Sequence, residues 1–292
     1  MPDLKVSVIV PVWNDPMRIL KCIEALKSQS LSSDSYEIII VDNGSLDNTF
    51  EIISGVEGIT AIQELQPGSY AARNKALKVA NGEYLAFTDA DCIPSKNWLE
   101  SLVDCAEKVS DLGVVAGEIK FFKDPSDNVE NAAIAYESLF SMDQKTYASQ
   151  GVCITANWLS KRSKILELSG FNTNLKSGGD HEMAQRITQT GSRVVYCPSA
   201  TVSHPARNRA EILRKRRRVI GGAWDKSQTS LKPIILVWRA VKLYAKRTLI
   251  ILLSRKVRLS NKFSIFGVIS SIFFVSLIEI FKLSIGHESS RS

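Results

Sequence analysis

The sequence predicts an α/β fold: a parallel, helix-covered sheet followed by a basic and hydrophobic helical tail. Over the first 120 residues, short β-rich runs alternate with helically patterned stretches, as strand–helix–strand crossovers do when they cover a sheet. A polar segment containing Gly, Asn, Asp or Ser follows most of these runs, where a strand would end. The charge is also divided. The net value is +7, yet Pro205 to Lys262 holds seventeen lysines and arginines against Glu211 and Asp225 alone, so residues 1–204 are acidic on balance and the excess base is C-terminal. A chain of 292 residues can bury one large core or two modest ones, which suits one α/β domain with an appendage.

The elements follow in order. "MPDLKVSVIVPVWN" carries an acid before a short apolar run and no small-residue cleavage site, so Lys5 to Val10 reads as a first core strand and not as a signal peptide. Asp15-Pro16 opens a helix, proline's fixed φ suiting the first helical position, and Ile19, Leu20, Ile23 and Leu26 share its face. Tyr36 to Val41 and Ile59 to Glu64 are the next strands. A second helix follows Ser69 with Ala72, Ala76, Leu77 and Ala80 toward the sheet, and Glu83 to Phe87 is the fourth strand. A third helix follows Pro94-Ser95 through Val109, before a strand from Val114 to Ile119. Five cysteines, an odd number with no C-x-x-C pair, fit a reduced compartment and exclude a local zinc or redox motif.

In open sheets of this class the ligand crevice lies beyond the carboxyl ends of the strands, which gathers Pro11 to Asn14, Asp42 to Asp47, Gln66 to Ser69 and Asp89-Ala90-Asp91 on one rim. Each has a local explanation: Asp42 can cap a turn, Gly44 can supply a positive φ, and Asp47 or Asn48 can cap a helix. In "YLAFTDADC", a strand carried through Asp91 would point Asp89 and Asp91 the same way, roughly 7 Å apart. Like charges so placed call for water, a basic partner or a cation. An acidic rim repels a diphosphate unless a divalent metal intervenes, and Mg²⁺ takes one or two carboxylates plus phosphate oxygens and water.

Six ordered stretches resemble the family-2 glycosyltransferases of GT-A fold: "VSVIVPVWN", "IIIVDNGSLDNT", "GSYAARNKAL", "NGEYLAFTDADC", "GFNTNLKSGGDHEMAQRITQTG" and "ATVSHPARNRAEILRKRRRVIGGAW". The resemblance implies a Rossmann-like mixed sheet flanked by helices over residues 1–225, with a nucleotide-sugar half to about 120 and an acceptor half beyond it. It implies an inverting, nucleotide-sugar-dependent enzyme of cell-surface polysaccharide or glycolipid synthesis. Pro11, Val12, Trp13, Asn14 and Asp42 would cradle base and ribose, with Arg73 near the same pocket. Asp89 would contact the ribose or a metal-bound water, and Asp91, with His204, would hold Mn²⁺ or Mg²⁺. In "SGGDHE" the family's Glu-Asp is reduced by Gly179 to one carboxylate, Asp180, which matches the general base and also suits a helix N-cap; Glu182 would face elsewhere. Asn157 and Trp158 lie where an acceptor could be touched, Trp158 also suiting a core. Two alternatives stay open, a nucleotide-sugar-forming nucleotidyltransferase and a non-catalytic scaffold. The first is disfavoured because "PVWND" lacks a Gly-rich, Lys/Arg-containing phosphate loop.

Residues 226–292 read as a membrane-associating tail. "IILVWRAVKLYAKRTLIILL" (234–253) spaces Arg239, Lys242, Lys246 and Arg247 through an apolar helix, which suits an interface with anionic lipid. "FSIFGVISSIFFVSLI" (263–278) is uncharged and borders on spanning length, ~20 residues. Arg255, Lys256, Arg258 and Lys262 before it would keep its N-terminal side cytoplasmic, on the inner face of the plasma membrane. A spanning helix and an in-plane helix are both open. No aromatic stacking pattern or zinc spacing accompanies the basic run at 214–218, so no nucleic acid is expected as a partner.

Overall fold

The computed structural model describes residues 4–125, 127–175, 177–254 and 257–288. In chain order the elements are β1 (Val6–Val12), α1 (Pro16–Lys27), β2 (Tyr36–Asp42), α2 (Thr49–Ser54), β3 (Thr60–Gln63), α3 (Ser69–Leu77), β4 (Tyr84–Thr88), β5 (Ile93–Pro94), α4 (Trp98–Glu107) and β6 (Leu112–Phe122). There follow α5 (Asn131–Phe140), α6 (Gln144–Ser149), β7 (Asn157–Lys161), α7 (Arg162–Glu167), α8 (Gly179–Gln189), β8 (Arg193–Pro205), α9 (Arg209–Lys226), α10 (Lys232–Leu253) and α11 (Leu259–Ser284). Arg255 and Lys256 of the expected basic flank lie outside the described residues.

Among the described residues, eight strands form one sheet in the order β3-β2-β1-β4-β7-β6-β8-β5. β1 runs parallel to β2 and β4, and β2 parallel to β3, so these four strands end on one edge and gather the loops that follow them. The parallel pattern read from the first runs stops there, and the mixed sheet that the resemblance implies is what forms. β7 enters antiparallel between β4 and β6, and β5 pairs antiparallel with β8, which makes the sheet mixed. β1 is buried along nearly its whole length, between β2 and β4 and against α3, and its Val/Ile run suits that place. α1 starts as read: Asp15 accepts the Arg18 N–H at 3.2 Å, and Ile19, Cys22, Ile23 and Leu26 are buried.

The chain divides into two compact units, the first of residues 1–120, 142–174 and 178–204, the second of 121–141, 175–177 and 205–292. The first holds the core of Ile9, Ile39, Leu85, Phe87, Trp158, Phe171 and Met183, each full burial of such a side chain stabilising by about 1.5–3 kcal/mol. Trp158 is fully buried, edge-on to Phe87, and its indole N–H donates to Ser160. Asn157 is equally buried: it accepts from the Trp98 indole at 2.8 Å and donates to the carbonyls of Glu118 and Ala200. Neither reaches an acceptor, because β7 is an interior strand whose side chains meet α4 and the core. Cys105 and Cys197 form a disulfide, with Cα atoms 6.4 Å apart and a sequence separation of 92. The expectation of free thiols fails at this pair, since only the placing of α4 against β8 brings the two together; Cys22, Cys92 and Cys153 are free and buried.

In the second unit α5, α9, α10 and α11 share a core that includes Ala133, Tyr136, Ile212, Ile251, Ile265 and Ile269. Arg247, expected at a lipid surface, turns inward: it lies over the rings of Tyr136 and Phe140 and donates to the Tyr136 hydroxyl at 2.5 Å.

Candidate active site

The rim is built by loops that tie to one another. Val12 O accepts the Asn43 N–H, Asn14 N–H donates to Ser45 Oγ, and Asn14 Oδ1 accepts the Leu46 N–H. Asn43 bridges further, donating to the carbonyls of Glu64 and Gln66 and accepting the Gly68 N–H that opens α3. The loops after β1, β2 and β3 are thereby one polar frame. Within it Val12 is a core residue that offers only backbone, Pro11 is half-buried, and Trp13 and Asn14 are exposed, Trp13 by 61%.

Asp42, at the end of β2, is fully buried. Its Oδ2 accepts from Ser45 N–H at 3.1 Å and Gln63 Nε2 at 3.0 Å, while Oδ1 has no protein partner. A buried carboxylate oxygen left unpaired is costly, and a ligand N–H would satisfy it.

Asp89 and Asp91 do not sit on a strand. β4 stops at Thr88, and the Cys92 N–H closes a turn on Asp89 O at 3.0 Å, so strand alternation does not orient the two carboxylates as expected. The turn separates them and each finds its own base. Asp89 Oδ1 pairs at 2.7 Å with Arg73, whose side chain is 3% exposed. Asp91 Oδ2 lies 3.6 Å from Nε2 of the buried His204, at the end of β8. Asp89 keeps about a third of its side chain in solvent, but its carboxyl is hemmed in. Burial raises its pKa, Arg73 opposes that, Asp91 raises it further, and smaller effects come from His204 and Asp180. Those electrostatic couplings place Asp91, His204 and Asp180 in one neighbourhood around Asp89.

Asp180 enters from α8. Gly178, at φ +73°, is the N-cap in the left-handed region where glycine is favoured, so Asp180 falls in the first helical turn and is not the cap. There its Oδ1 accepts the His181 N–H at 3.0 Å, one of the amides a helix start leaves unpaired. Glu182 faces away, paired with Arg186, which also holds the carbonyls of Leu168 and Gly170. His181 packs edge-on against Tyr147.

Tyr70 and Cys92 were not legible as site residues. The Tyr70 hydroxyl accepts the Gly179 N–H at 2.8 Å; burial first, then the Asp180 charge, push its pKa up to about 12, so it stays a neutral donor and acceptor. A Cβ on Gly179 would come within 2.6–2.7 Å of the Tyr70 ring, which is the physical reason for glycine where a glutamate was expected. Asp91, Cys92 and His204 offer ligand atoms within 4.8 Å of one another. The fit to a divalent ion is good at Asp91 and His204, oxygen and nitrogen donors across a short gap. It is poor at Cys92, whose thiol pKa burial and both aspartates push far up, leaving a neutral, weak ligand. A cleft of about 420 Å³ is lined by other residues, among them Glu64, Asn74, Lys75, Lys78 and Thr173, and none of these groups opens into it.

The chain matches the model of glycosyl transferase family 2 over residues 7–168. It is 35% identical to glycosyltransferase AglE of Haloferax volcanii over 240 residues, 78% of this chain and 77% of that protein. Among solved structures it is similar to the mannosyltransferase PcManGT of Pyrobaculum calidifontis in complex with GDP-Man and Mn²⁺, with a TM-score of 0.58 at 20% identity, covering 97% of this chain and 76% of that one. It is also similar to residues 1–349 of S. aureus TarS in complex with UDP, with a TM-score of 0.55 at 18% identity, covering 97% and 92%. At these identities the solved structures speak for the fold.

Proposed function

This chain belongs to glycosyl transferase family 2, has the GT-A fold and is a glycosyltransferase, and we propose that it moves a sugar from a nucleoside-diphosphate donor to an acceptor hydroxyl with inversion at the anomeric carbon. Residues 1–225 serve as the catalytic domain in this reading and 226–292 as its membrane-associating tail. The nucleotidyltransferase alternative falls with the family assignment, and the scaffold alternative predicts that loss of Asp91 leaves function intact.

The observation that carries the mechanism is the pairing of Arg73 of α3 with Asp89 and of His204 of β8 with Asp91 in the turn after β4, with Asp180 of α8 acting on Asp89 electrostatically. Asp42 Oδ1 accepts a base N–H, and the exposed Trp13 and Asn14 border the base and ribose with Pro11 and the Val12 backbone. Arg73 holds Asp89 as a fixed carboxylate toward the ribose, which removes it as a nucleophile and favours single displacement. Asp91 and His204 would hold a divalent ion, and the imidazole suits Mn²⁺ better than Mg²⁺. When bound, that ion offsets the charge that grows on the departing diphosphate. Asp180 takes the proton from the attacking acceptor hydroxyl, and Tyr70 fixes the start of the helix that carries it.

The structural relatives bound to GDP-Man and UDP support a nucleotide-sugar donor, and the Mn²⁺ with the first supports the metal. The acceptor is a sugar or lipid-linked glycan of the cell surface, met at the cytoplasmic face of the membrane. A thermal-shift screen with UDP-, GDP- and dTDP-sugars, with and without Mn²⁺, tests the reading. One nucleotide stabilises the wild type in a metal-dependent way and Asp91→Asn abolishes the effect; no shift with any nucleotide sinks it.

A further inference from the structure

Among the described residues, α11 is the one helix long and apolar enough to cross a bilayer, with 24 residues from Asn261 to Ser284 and an 18-residue window of mean hydropathy 2.2. Its surroundings speak against crossing. One face, with Ile265, Val268, Ile269 and Ile272, is buried in the core shared with α5 and α9. At its middle, Arg209 of α9 donates to Ser271 Oγ and to Gly267 O, and Arg216 donates to Ser276 Oγ at 2.7 Å. α9 therefore lies along α11 with its guanidinium groups at the helix's midpoint, and it carries the exposed Arg214, Arg217 and Arg218 besides. Passing α11 through a membrane would carry this arginine helix to the bilayer centre, the most unfavourable place for charge.

Two apolar stripes are left exposed. On α10, Ile234, Trp238, Val241, Ala245, Leu249 and Leu252 recur every three or four residues, one helical face, and all are exposed, Trp238 by 67%. The opposite face, Leu236, Ala240 and Ile251, is buried. On α11, Phe263, Phe266, Phe274, Ile278, Phe281 and Ile285 form a second exposed stripe, Phe263 by 74%. Arg239, Lys242 and Lys246 are exposed beside the α10 stripe. That charge selects the partner: a second copy of this chain would set like charges against each other, whereas an anionic bilayer supplies the opposite sign at its headgroups and hydrocarbon beneath them.

We propose that α10 and α11 form an in-plane hairpin that seats these two stripes on an anionic membrane surface without crossing it. This rests on the membrane attachment proposed above and decides its topology. The α10 stripe lies in the headgroup–acyl boundary with Trp238 at its centre, and α11 stays packed on α9 while its phenylalanine face enters the same leaflet.

Full-length chain carrying His287→Cys, or Asp34→Cys as a reference in the first unit, is made in a bacterial host, and sealed inverted membrane vesicles are treated with a membrane-impermeant maleimide. Both positions are expected to react to the same extent before detergent. Protection of position 287 until detergent is added overturns the proposal in favour of a spanning helix. Recovery of the protein away from the vesicles overturns attachment itself and leaves the glycosyltransferase reading to its own nucleotide test. Purified protein is then floated with phosphatidylcholine vesicles with and without phosphatidylglycerol. Trp238→Asp with Leu249→Asp, and separately Phe274→Asp, should each lower the bound fraction by about tenfold or more, with unchanged circular dichroism because all three positions are exposed. Wild-type binding by either variant removes its stripe from the surface. A lipid-free dimer that Trp238→Asp dissociates would assign the face to a second copy and overturn the proposal.

Discussion

The two units use charge in opposite ways. In the first, acids and bases stand at strand ends and helix starts, and the rim leaves Asp42 Oδ1 and Arg73 Nε with no protein partner. In the second, Arg209, Arg216 and Arg247 place their donors inside the unit on Ser271, Ser276 and Tyr136, and apolar stripes on α10 and α11 are exposed beside Arg239, Lys242 and Lys246. Buried atoms of charged groups left unpaired at the rim mark the first as a place for a polar ligand. Apolar stripes left uncovered mark the second as a place for an apolar partner.

The sharpest way to break this contrast is to remove the acid assigned to proton transfer. Asp180→Asn should lower turnover by about 10²–10⁴-fold while the nucleotide-dependent thermal shift survives, because the change leaves the donor-side residues alone. Unchanged turnover in a steady-state assay would remove Asp180 as the base. Next comes the pair that fixes Asp89. Arg73→Met leaves a carboxylate without its buried partner and should cost about 2–4 kcal/mol in urea unfolding, below the full range for buried pairs because Asp89 keeps some water. A loss under 0.5 kcal/mol, the ordinary scatter of surface substitutions, would show that solvent and not Arg73 compensates Asp89. The smallest expected effect tests Tyr70 against Gly179. Gly179→Glu should destabilise by about 1–3 kcal/mol through overpacking on the ring, and pairing it with Tyr70→Ala should recover part of that loss.

Much of the framework was legible. The β-rich runs and the Asp15-Pro16 start signal predict β1 to β4 and α1 closely, because periodicity and capping are local. The strand ends also place Asp42, Asp89 and Asp91 on the carboxyl edge of the sheet, since β1 to β4 are parallel. Other features were out of reach for physical reasons. The turn at Asp89–Cys92 depends on where β4 stops, which its pairing with β7 decides. The burial of Asn157 and Trp158 depends on β7 lying between β4 and β6. The inward turn of Arg247 depends on α5 packing beside α10, and charge spacing along one helix is silent on that.

Sequence by itself determined the class of fold, the order of its first elements, the acidic rim and the basic, apolar tail, because each is written in local spacing and composition. Only the tertiary structure decided the partners: Arg73 for Asp89, His204 for Asp91, Tyr70 for the start of α8, and the α9 arginines for the middle of α11. Those choices join segments far apart in the chain, and sheet order and helix packing set them, not the residues on either side.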